Sequence, residues 1–310
     1  MALYLVTGGA GFIGSHLCDS LLADGHQVRV LDDFSTGKTA NLDPRCEVLR
    51  GDVTDPALVV RAMEGAAGCF HLAAIASVAR GNEEWLHTHR ANQSGTVAVL
   101  EAARDAGQVP VTFASSAAVY GNLNAEAARE TIPASPLTAY GADKYGSELH
   151  ARVAFMVHDT PTAGLRLFNV YGPRQDPLSP YSGVISIFAR KVATGQPVTV
   201  HGDGLQSRDF VFVADVVAHF RAAMRHIESR PAALVLNVCT GRATTVLDLA
   251  RTLGRIQGRT PEIVHGPTRP GDIRLSLGDP SAAIATLGLQ ARTRLEEGLT
   301  ETLATVAEPA

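Results

Sequence analysis

The sequence predicts an α/β fold, with a doubly wound parallel sheet followed by a smaller mixed α/β domain. The first observation is a short apolar segment, residues 3–6, that runs into three spaced glycines and then into an amphipathic helical pattern. The second is the repeated alternation of strand-like and helix-like segments up to residue 172. The third is the loss of this rhythm beyond Arg174. We therefore expect one domain over residues 1–172 and a second over residues 173–310, interleaved if the chain returns to the sheet edge.

The individual elements follow from apolar runs, turn residues and helical periodicity. The strands of the six βα units are predicted at residues 3–6, 27–31, 47–50, 68–72, 109–114 and 163–168, with a long helix at about 83–106. The second domain is predicted to contain helices at 184–194, 215–228, 246–254 and 294–306, and short strands at 198–201 and 210–213.

The glycines after the first strand have the spacing of a dinucleotide-binding turn. Gly8 permits the tight turn, Gly11 leaves room for a pyrophosphate to approach the backbone, and Gly14 lets the helix pack closely on the strand. The N–H groups of the first helical turn then face the phosphates. This arrangement is that of a Rossmann domain, because the strand, turn and helix occur in the required order.

A carboxylate at the end of the second strand indicates which dinucleotide is bound. Asp32 lies 18 residues beyond Gly14, close to the separation of about 20 expected for an acid that hydrogen-bonds a ribose 2′-hydroxyl. The same charge repels a 2′-phosphate, so the sequence favours NAD over NADP. The polar loop with Asp33 and Lys38 follows where the adenosine half would lie. Asp52 and Val53 are placed to flank the adenine, although this segment also reads as a helix cap.

Composition excludes several classes of function. The 310 residues are 45% hydrophobic, which is ample for a core. The net charge of −4 argues against a nucleic-acid or anionic-membrane partner. No apolar run is long enough for a membrane span, and the first strand begins without a leader-like pattern, so we expect a cytoplasmic protein. The four scattered cysteines lack metal-site spacing, so we expect reduced thiols and no metal.

Three side chains could carry out acid–base chemistry: a tyrosine, a lysine and a serine. Tyr140 and Lys144 are four residues apart on a predicted helix and therefore share a face. A lysine ammonium beside the phenol, together with a cationic nicotinamide, would lower the high pKa of the tyrosine and make it a usable base. Ser116 ends the fifth strand and can relay the proton.

At this point the chain resembles a known family, the extended short-chain dehydrogenases/reductases, and within it the NAD-dependent nucleotide-sugar epimerases similar to UDP-glucose 4-epimerase. The resemblance covers nearly the whole chain. Its motifs are residues 7–14, 71–74, 115–121, 140–144, 167–174, 208–211 and 269–272.

The resemblance implies roles for individual residues. Tyr140 would be the base, Lys144 would bind the nicotinamide ribose, and Ser116 would assist. Asn169 would contact the sugar diphosphate. Arg208 and Arg269 would bind the phosphates, Asp272 the uridine ribose, and Ser276 would leave space for an N-acetyl group. The expected NAD-binding residues are Gly8, Gly11, Phe12, Ile13, Asp32, Asp33, Lys38, Asp52, Val53, Leu72, Ala73, Ala74, Asn92, Tyr140 and Lys144.

The activity that this implies is 4-epimerisation of a UDP-hexose through a transient 4-keto sugar. The family also contains 4,6-dehydratases, decarboxylases and UDP-glucuronate 4-epimerases, and a simple oxidoreductase or a non-catalytic dinucleotide sensor remains an alternative. The dehydratases carry Asp-Glu where this chain has Ala117-Ala118, so we expect no loss of water from the sugar. A homodimer is also an expectation of the resemblance. For Asn92, a solvent-facing position remains open.

Overall fold

The central sheet is parallel with helices on both faces, as the sequence predicts, and it has seven strands where six are predicted. The computed structural model describes residues 1–123, 126–176, 183–268 and 273–306. The sheet strands are β1 (Leu3–Thr7), β2 (Gln27–Asp32), β3 (Glu47–Arg50), β4 (Gly68–His71), β5 (Val111–Ser116), β6 (Thr162–Leu167) and β11 (Ala233–Val238), in the spatial order β11-β6-β5-β4-β1-β2-β3.

Two apolar layers cover this sheet because successive strand residues point to opposite faces. On one face, Tyr4 and Val6 pack into a core with Leu17, Phe220 and Met224. On the other, Leu5 packs with residues of three further helices. The helices are α1 (Phe12–Ala23), α2 (Pro56–Met63), α3 (Val78–Glu83), α4 (Trp85–His89), α5 (Gly95–Asp105), α6 (Ala139–His158), α7 (Val184–Ala193), α8 (Val213–Ser229), α9 (Val246–Ile256), α10 (Ser281–Leu287) and α11 (Leu295–Val306).

The remaining strands form small sheets beside the carboxyl ends of the main strands. They are β7 (Asn169–Tyr171), β8 (Val198–His201), β9 (Ser207–Arg208), β10 (Phe210–Phe212), β12 (Thr244–Thr245), β13 (Ile263–Gly266) and β14 (Leu275–Ser276). β7 pairs with β10, β8 with β13, and β9 lies between β12 and β14. A separate core forms between α7, α9 and these strands, around Phe188, Val200 and Leu249.

Two features differ from the sequence-based expectation. The segment Ala233–Val238 was not predicted as a strand, yet it adds β11 to the sheet beside β6. The chain therefore returns to the sheet edge after β7–β10 and before β12–β14, and the domain boundary at residue 172 stays a prediction. The helix predicted at 83–106 is divided into α4, a π-helical turn at Arg90–Ser94 and α5. Among the described residues, no helix has the length and apolarity to cross a membrane.

Candidate active site

The glycine turn after β1 has the geometry that the sequence predicts. Gly8 adopts φ +70°, and its carbonyl oxygen accepts a hydrogen bond from Gly11 N at 3.1 Å. A Cβ on Gly14 would overlap this carbonyl, and a Cβ on Gly11 would lie 3.2 Å from it. Helix α1 begins at Phe12, directly above the turn. The turn therefore leaves a cradle at a helix N-terminus that only glycines keep open.

Asp32 ends β2 beside this cradle. Its carboxylate is 6% exposed and accepts hydrogen bonds from Ala10 N at 2.9 Å and Phe34 N at 2.8 Å. Burial raises the pKa of Asp32, and these two N–H donors oppose the rise. Asp33 is used differently, because its carboxylate accepts from the backbone and hydroxyl of Ser35. Asp32 is thus the carboxylate held rigidly at the expected place.

A cavity of about 530 Å³ starts at the glycine turn and follows the carboxyl ends of the main strands. It lies where the strand order reverses, between β1 and β4, which is the usual ligand site of such sheets. Of the predicted residues, its lining includes Gly8, Gly11, Phe12, Ile13, Asp32, Asp33, Asp52, Val53, Leu72, Ala73, Ala74, Ser116, Tyr140, Lys144 and Asn169.

Two of the residues expected to bind the cofactor lie outside this lining. The Nζ atom of Lys38 lies 3.2 Å from the carboxylate of Asp176. Asn92 is fully buried in the π-helical turn, so the solvent-facing alternative is wrong. Its amide accepts from Ile75 N at 2.7 Å and donates to Ile75 O at 3.2 Å. Asn92 therefore fixes the loop after β4, which itself lines the cavity.

The tyrosine, lysine and serine meet at the inner end of the cavity. Tyr140 lies in the first turn of α6, which the Thr138 side chain caps. Lys144 follows one turn later, with its Nζ atom 5.8 Å from the centre of the Tyr140 ring. Ser116, at the end of β5, lines the cavity beside these two residues. The structure thus brings together the three residues that the sequence singled out.

Burial controls the ionisation of these groups. It raises the pKa of Tyr140, and the nearby Ser116 hydroxyl opposes the rise. It lowers the pKa of Lys144 to about 8, while the charge of Asp143 acts in the opposite direction. The expected lowering of the tyrosine pKa is therefore not achieved by the protein alone, since desolvation outweighs the other effects. Lys144 remains mostly charged at neutral pH and loses its charge above about pH 8.

Sequence reasoning gave no role to His71, which ends β4. Its Nδ1 lies 2.7 Å from the Thr7 hydroxyl and its Nε2 lies 3.1 Å from the Thr96 hydroxyl. Ser147 on α6 donates to the same Thr96 oxygen at 3.2 Å. Burial, with the nearby Lys144 charge, lowers the pKa of His71 to about 3. A neutral histidine therefore links β1 to the helix of Tyr140. Two features of the sequence pointed to His71: its position at a strand end and its place in the motif at residues 71–74.

A second cavity, of about 230 Å³, opens on the other side of Tyr140. Both cavities are lined by Ser116, Tyr140 and Asn169. The second is also lined by Arg208 of β9 and by Ser276 of β14, which are direct partners in the register of these two strands. The predicted residues Arg269 and Asp272 lie outside the described residues. Two spaces thus share a wall that contains the candidate reacting groups.

A buried carboxylate holds the segment that carries Ser276. Asp209, fully buried beside Arg208, accepts hydrogen bonds from the hydroxyl and backbone N–H of Thr240 and from the N–H of Gly241. It also accepts from Gly278 N at 3.4 Å, two residues after Ser276. Asp209, the residue that follows β9, therefore holds the part of the cavity wall that contains Ser276.

Residues 4–239 match the NAD dependent epimerase/dehydratase family. The chain belongs to this family. It is 38% identical to the UDP-glucose 4-epimerase of Mycolicibacterium smegmatis over 308 residues, or 96% of each chain. NAD is thus its cofactor, and the open glycine cradle and the buried carboxylate of Asp32 fit that molecule.

Solved structures show the same fold over 98% of this chain. UDP-glucose 4-epimerase from Thermotoga maritima, solved with UDP-glucose, matches with a TM-score of 0.93 and 36% identity over 98% of its own chain. UDP-N-acetylglucosamine 4-epimerase from Methanobrevibacter ruminantium matches with a TM-score of 0.93 and 31% identity, also over 98%. UDP-glucuronic acid 4-epimerase from Bacillus cereus matches with a TM-score of 0.90 and 28% identity, again over 98% of both chains. Family membership therefore leaves the sugar open.

The first prediction concerns cofactor choice. We expect the protein to bind NAD at least about 10-fold more tightly than NADP, because a hydrogen bond to a charged group is lost and a charge repulsion is added. Titration calorimetry with both dinucleotides measures the ratio. Asp32→Asn should narrow it, whereas Asp33→Asn, whose carboxylate contacts Ser35, should leave it nearly unchanged. Equal or tighter binding of NADP by the unaltered protein would show that Asp32 does not face the ribose.

Proposed function

We propose that the protein catalyses the NAD-dependent 4-epimerisation of a UDP-hexose, interconverting UDP-glucose and UDP-galactose through a transient 4-keto sugar. The observation that carries this proposal is the common wall of the two cavities, where Ser116 and Tyr140 face both spaces. A sugar in the smaller cavity would meet a nicotinamide in the larger one at these hydroxyls. The similarity to UDP-glucose 4-epimerases over the full chain supports the same reaction.

In the proposed reaction Tyr140 removes the proton from the sugar 4-hydroxyl. When bound, NAD would supply a positive charge beside Tyr140 and a reversible acceptor for the hydride of C4. The Lys144 ammonium adds a second positive charge that favours the phenolate. Ser116 hydrogen-bonds the reacting oxygen and passes the proton between it and Tyr140. Returning the proton by the same route completes the epimerisation.

The cofactor residues have distinct proposed tasks. Gly8 and Gly11, with the N–H groups of Phe12 and Ile13, would hold the pyrophosphate, and Asp32 would bind the adenosine ribose. The other predicted lining residues would flank the adenine and nicotinamide ends: Asp33, Asp52, Val53, Leu72, Ala73 and Ala74. We propose an indirect task for Asn92, which holds the loop at Ile75, and for Lys38, which is paired with Asp176.

The nucleotide of the substrate would bind on the β9 side. Arg208 donates from Nη1 to the carbonyls of Ser207 and Ile273, at 2.9 and 2.7 Å, and lines the smaller cavity. These contacts position its guanidinium, which can bind a diphosphate in a bidentate manner. We propose that Asn169 contacts the same diphosphate. Arg269 would add a second cation and Asp272 would bind the uridine ribose.

The walls around the sugar favour epimerisation over elimination of water. Ala117 and Ala118 line the smaller cavity beside Ser116. Methyl groups cannot accept or donate the protons that elimination across C5 and C6 requires. We therefore propose that the 4-keto sugar turns over within the site and is reduced on its other face, with no dehydrated product.

The size of the wall at Ser276 supports a wider choice of sugar. The Ser276 side chain occupies little of the cavity, and its hydroxyl can hydrogen-bond an amide group on C2 of the sugar. The match to a UDP-N-acetylglucosamine 4-epimerase is consistent with this. We propose that UDP-N-acetylhexosamines are substrates alongside UDP-glucose and UDP-galactose.

We also propose that the protein is a homodimer. Leu149, Val153, Met156 and Val157 on α6 are exposed by 47%, 51%, 69% and 65%. Their spacing places them on one face of the helix. A continuous apolar stripe on a soluble helix is typical of an interface, and twofold pairing of identical copies is the commonest assembly. The stripe lies on α6, the helix that carries Tyr140, so dimerisation would stabilise the position of this helix in the active site.

The test of the reaction is the substitution Tyr140→Phe. It preserves the ring and removes the ionisable oxygen, so kcat should fall by at least about 100-fold while NAD binding remains. Tyr145→Phe is the matched control, because Tyr145 lies on the same helix and packs against the core. Turnover of UDP-galactose near the normal rate by the Tyr140 variant would remove this residue from the mechanism.

The test of the sugar choice is Ser276→Tyr. A phenol at this wall should block an N-acetyl group and spare the smaller hexoses. The ratio of kcat/KM for UDP-N-acetylglucosamine to that for UDP-glucose should fall by about 100-fold. An unchanged ratio, or no activity of the unaltered protein on N-acetyl sugars, would show that Ser276 does not set the size of the pocket.

The test of assembly is Met156→Glu, which places a charge in the middle of the stripe. Light scattering should give twice the mass of one chain for the unaltered protein and a monomer for the variant. Val60→Glu, at a 47% exposed valine on α2, is the control and should not change the mass. A monomeric unaltered protein, or a variant that stays dimeric, contradicts the proposal.

A further inference from the structure

A row of polar side chains crosses the sheet one residue before the strands end. Ser115 of β5, Arg166 of β6 and Asn237 of β11 are partners in the register of the three neighbouring strands. They are 2%, 5% and 0% exposed. Residues paired in this way in a parallel sheet point to the same face. The row is therefore a buried polar layer directly beneath the strand end that carries Ser116.

One carboxylate from α6 joins the first two members of this row. Glu148, itself 5% exposed, accepts a hydrogen bond from the Ser115 hydroxyl at 2.5 Å. It also accepts from Nε and Nη2 of Arg166, at 2.9 and 2.7 Å. The ion pair is bidentate, so it fixes the orientation of the carboxylate as well as its position. Oε1 of Glu148 therefore accepts two hydrogen bonds, one from Arg166 and one from Ser115 of β5.

Arg166 is held independently of Ser115. Its guanidinium carbon lies 4.7 Å from the centre of the Tyr120 ring. The Tyr120 hydroxyl in turn donates to Oδ1 of Asn237 at 2.7 Å. Arg166 thus has a carboxylate on one side and an aromatic face on the other. The ion pair forms a fixed point to which the end of β5 is attached through a single hydroxyl.

Two contacts now connect the same strand to the same helix. Ser115 donates to Glu148, and the next residue, Ser116, lies beside Tyr140 in the walls of both cavities. Tyr140 and Glu148 are eight residues apart, which is about 12 Å along a helix. Backbone pairing holds β5 in the sheet, so a single side-chain contact would leave α6 free to shift relative to the strand. A second contact at that distance along the helix restrains it. A buried ion pair is a weak contributor to stability compared with apolar packing, so positioning accounts better for its presence here.

We propose that Glu148 is a positioning residue which, through the hydroxyl of Ser115, fixes the end of β5 against α6 and so holds Ser116 in place beside Tyr140. The proposal rests on the function proposed above for Ser116 and Tyr140. Ser115 borders the larger cavity, but its hydroxyl donates to Glu148, so neither this hydroxyl nor the Glu148 carboxylate is assigned a contact with the substrate or the cofactor. Their loss should therefore reduce the rate of the chemical step and not the affinity for the sugar nucleotide.

The experiment removes the single hydroxyl and leaves the ion pair intact. Ser115→Ala should lower kcat for UDP-galactose by about 10-fold, since small misplacement of reacting groups has large effects on rate, with KM changed by less than about 2-fold. Ser115→Thr restores a hydroxyl on a residue suited to a strand and should recover most of the rate. Thr112→Val is the control, because Thr112 is a fully buried residue of the same strand whose hydroxyl has no partner among the described residues. It should keep the normal kcat.

Ser116→Ala, measured in parallel, separates failure of this inference from failure of the proposed function. If Ser116→Ala loses activity while Ser115→Ala keeps the normal kcat, the positioning role is wrong and the proposed reaction stands. If Ser116→Ala is fully active, the role proposed for Ser116 is itself wrong. If Ser115→Thr is as slow as Ser115→Ala, or Thr112→Val is equally slow, the effect is one of general packing in β5 and the positioning role is overturned.

Discussion

Parallel pairing brings the carboxyl ends of five neighbouring strands to one edge of the sheet, and every part of the candidate site is attached to that edge. The glycine turn follows β1, Asp32 ends β2, His71 ends β4 and Ser116 ends β5. The segment after β6 begins the small strands that carry Arg208 and Ser276. Because the register of these strands is set by backbone hydrogen bonds, the spacing between the groups is set before any ligand binds. The main helix of the site, α6, is then attached to this edge by side chains.

Those attachments are buried and polar, which distinguishes the site from the apolar layers around it. His71, Asn92, Asp209 and Glu148 are all nearly or completely buried, and each has hydrogen-bond partners from other elements. Burial keeps His71 neutral and lowers the pKa of Lys144 to about 8. Because water is excluded from around these groups, their electrostatic contacts are stronger than they would be in solution. These contacts hold the loops that carry the groups in place. Burial also raises the pKa of Tyr140, so the base role proposed for this residue requires positive charge from Lys144 and the cofactor.

Local patterns in the sequence were sufficient for the parts of the fold and site that are local in the chain. The strand, glycine turn and helix at the start, the acid at Asp32, and the one-turn spacing of Tyr140 and Lys144 could all be read from short segments. β11 could not, because its membership of the sheet depends on pairing with a strand 71 residues earlier. The contacts of Glu148 with Ser115 and Arg166 join three separate elements, and nothing in the residue types alone pairs them. The burial of Asn92 depends on a π-helical turn that helical periodicity does not reveal.

In the proposed epimerisation, the hydrogen on C4 of the sugar leaves and returns within one site. The most direct measurement is the conversion of UDP-glucose carrying deuterium at C4, followed by mass spectrometry and NMR of the UDP-galactose formed. The UDP-galactose should keep the deuterium at C4, because Tyr140 and Ser116 exchange only the hydroxyl proton with water. Product that has lost the deuterium, or no interconversion at all by protein saturated with NAD, would contradict it.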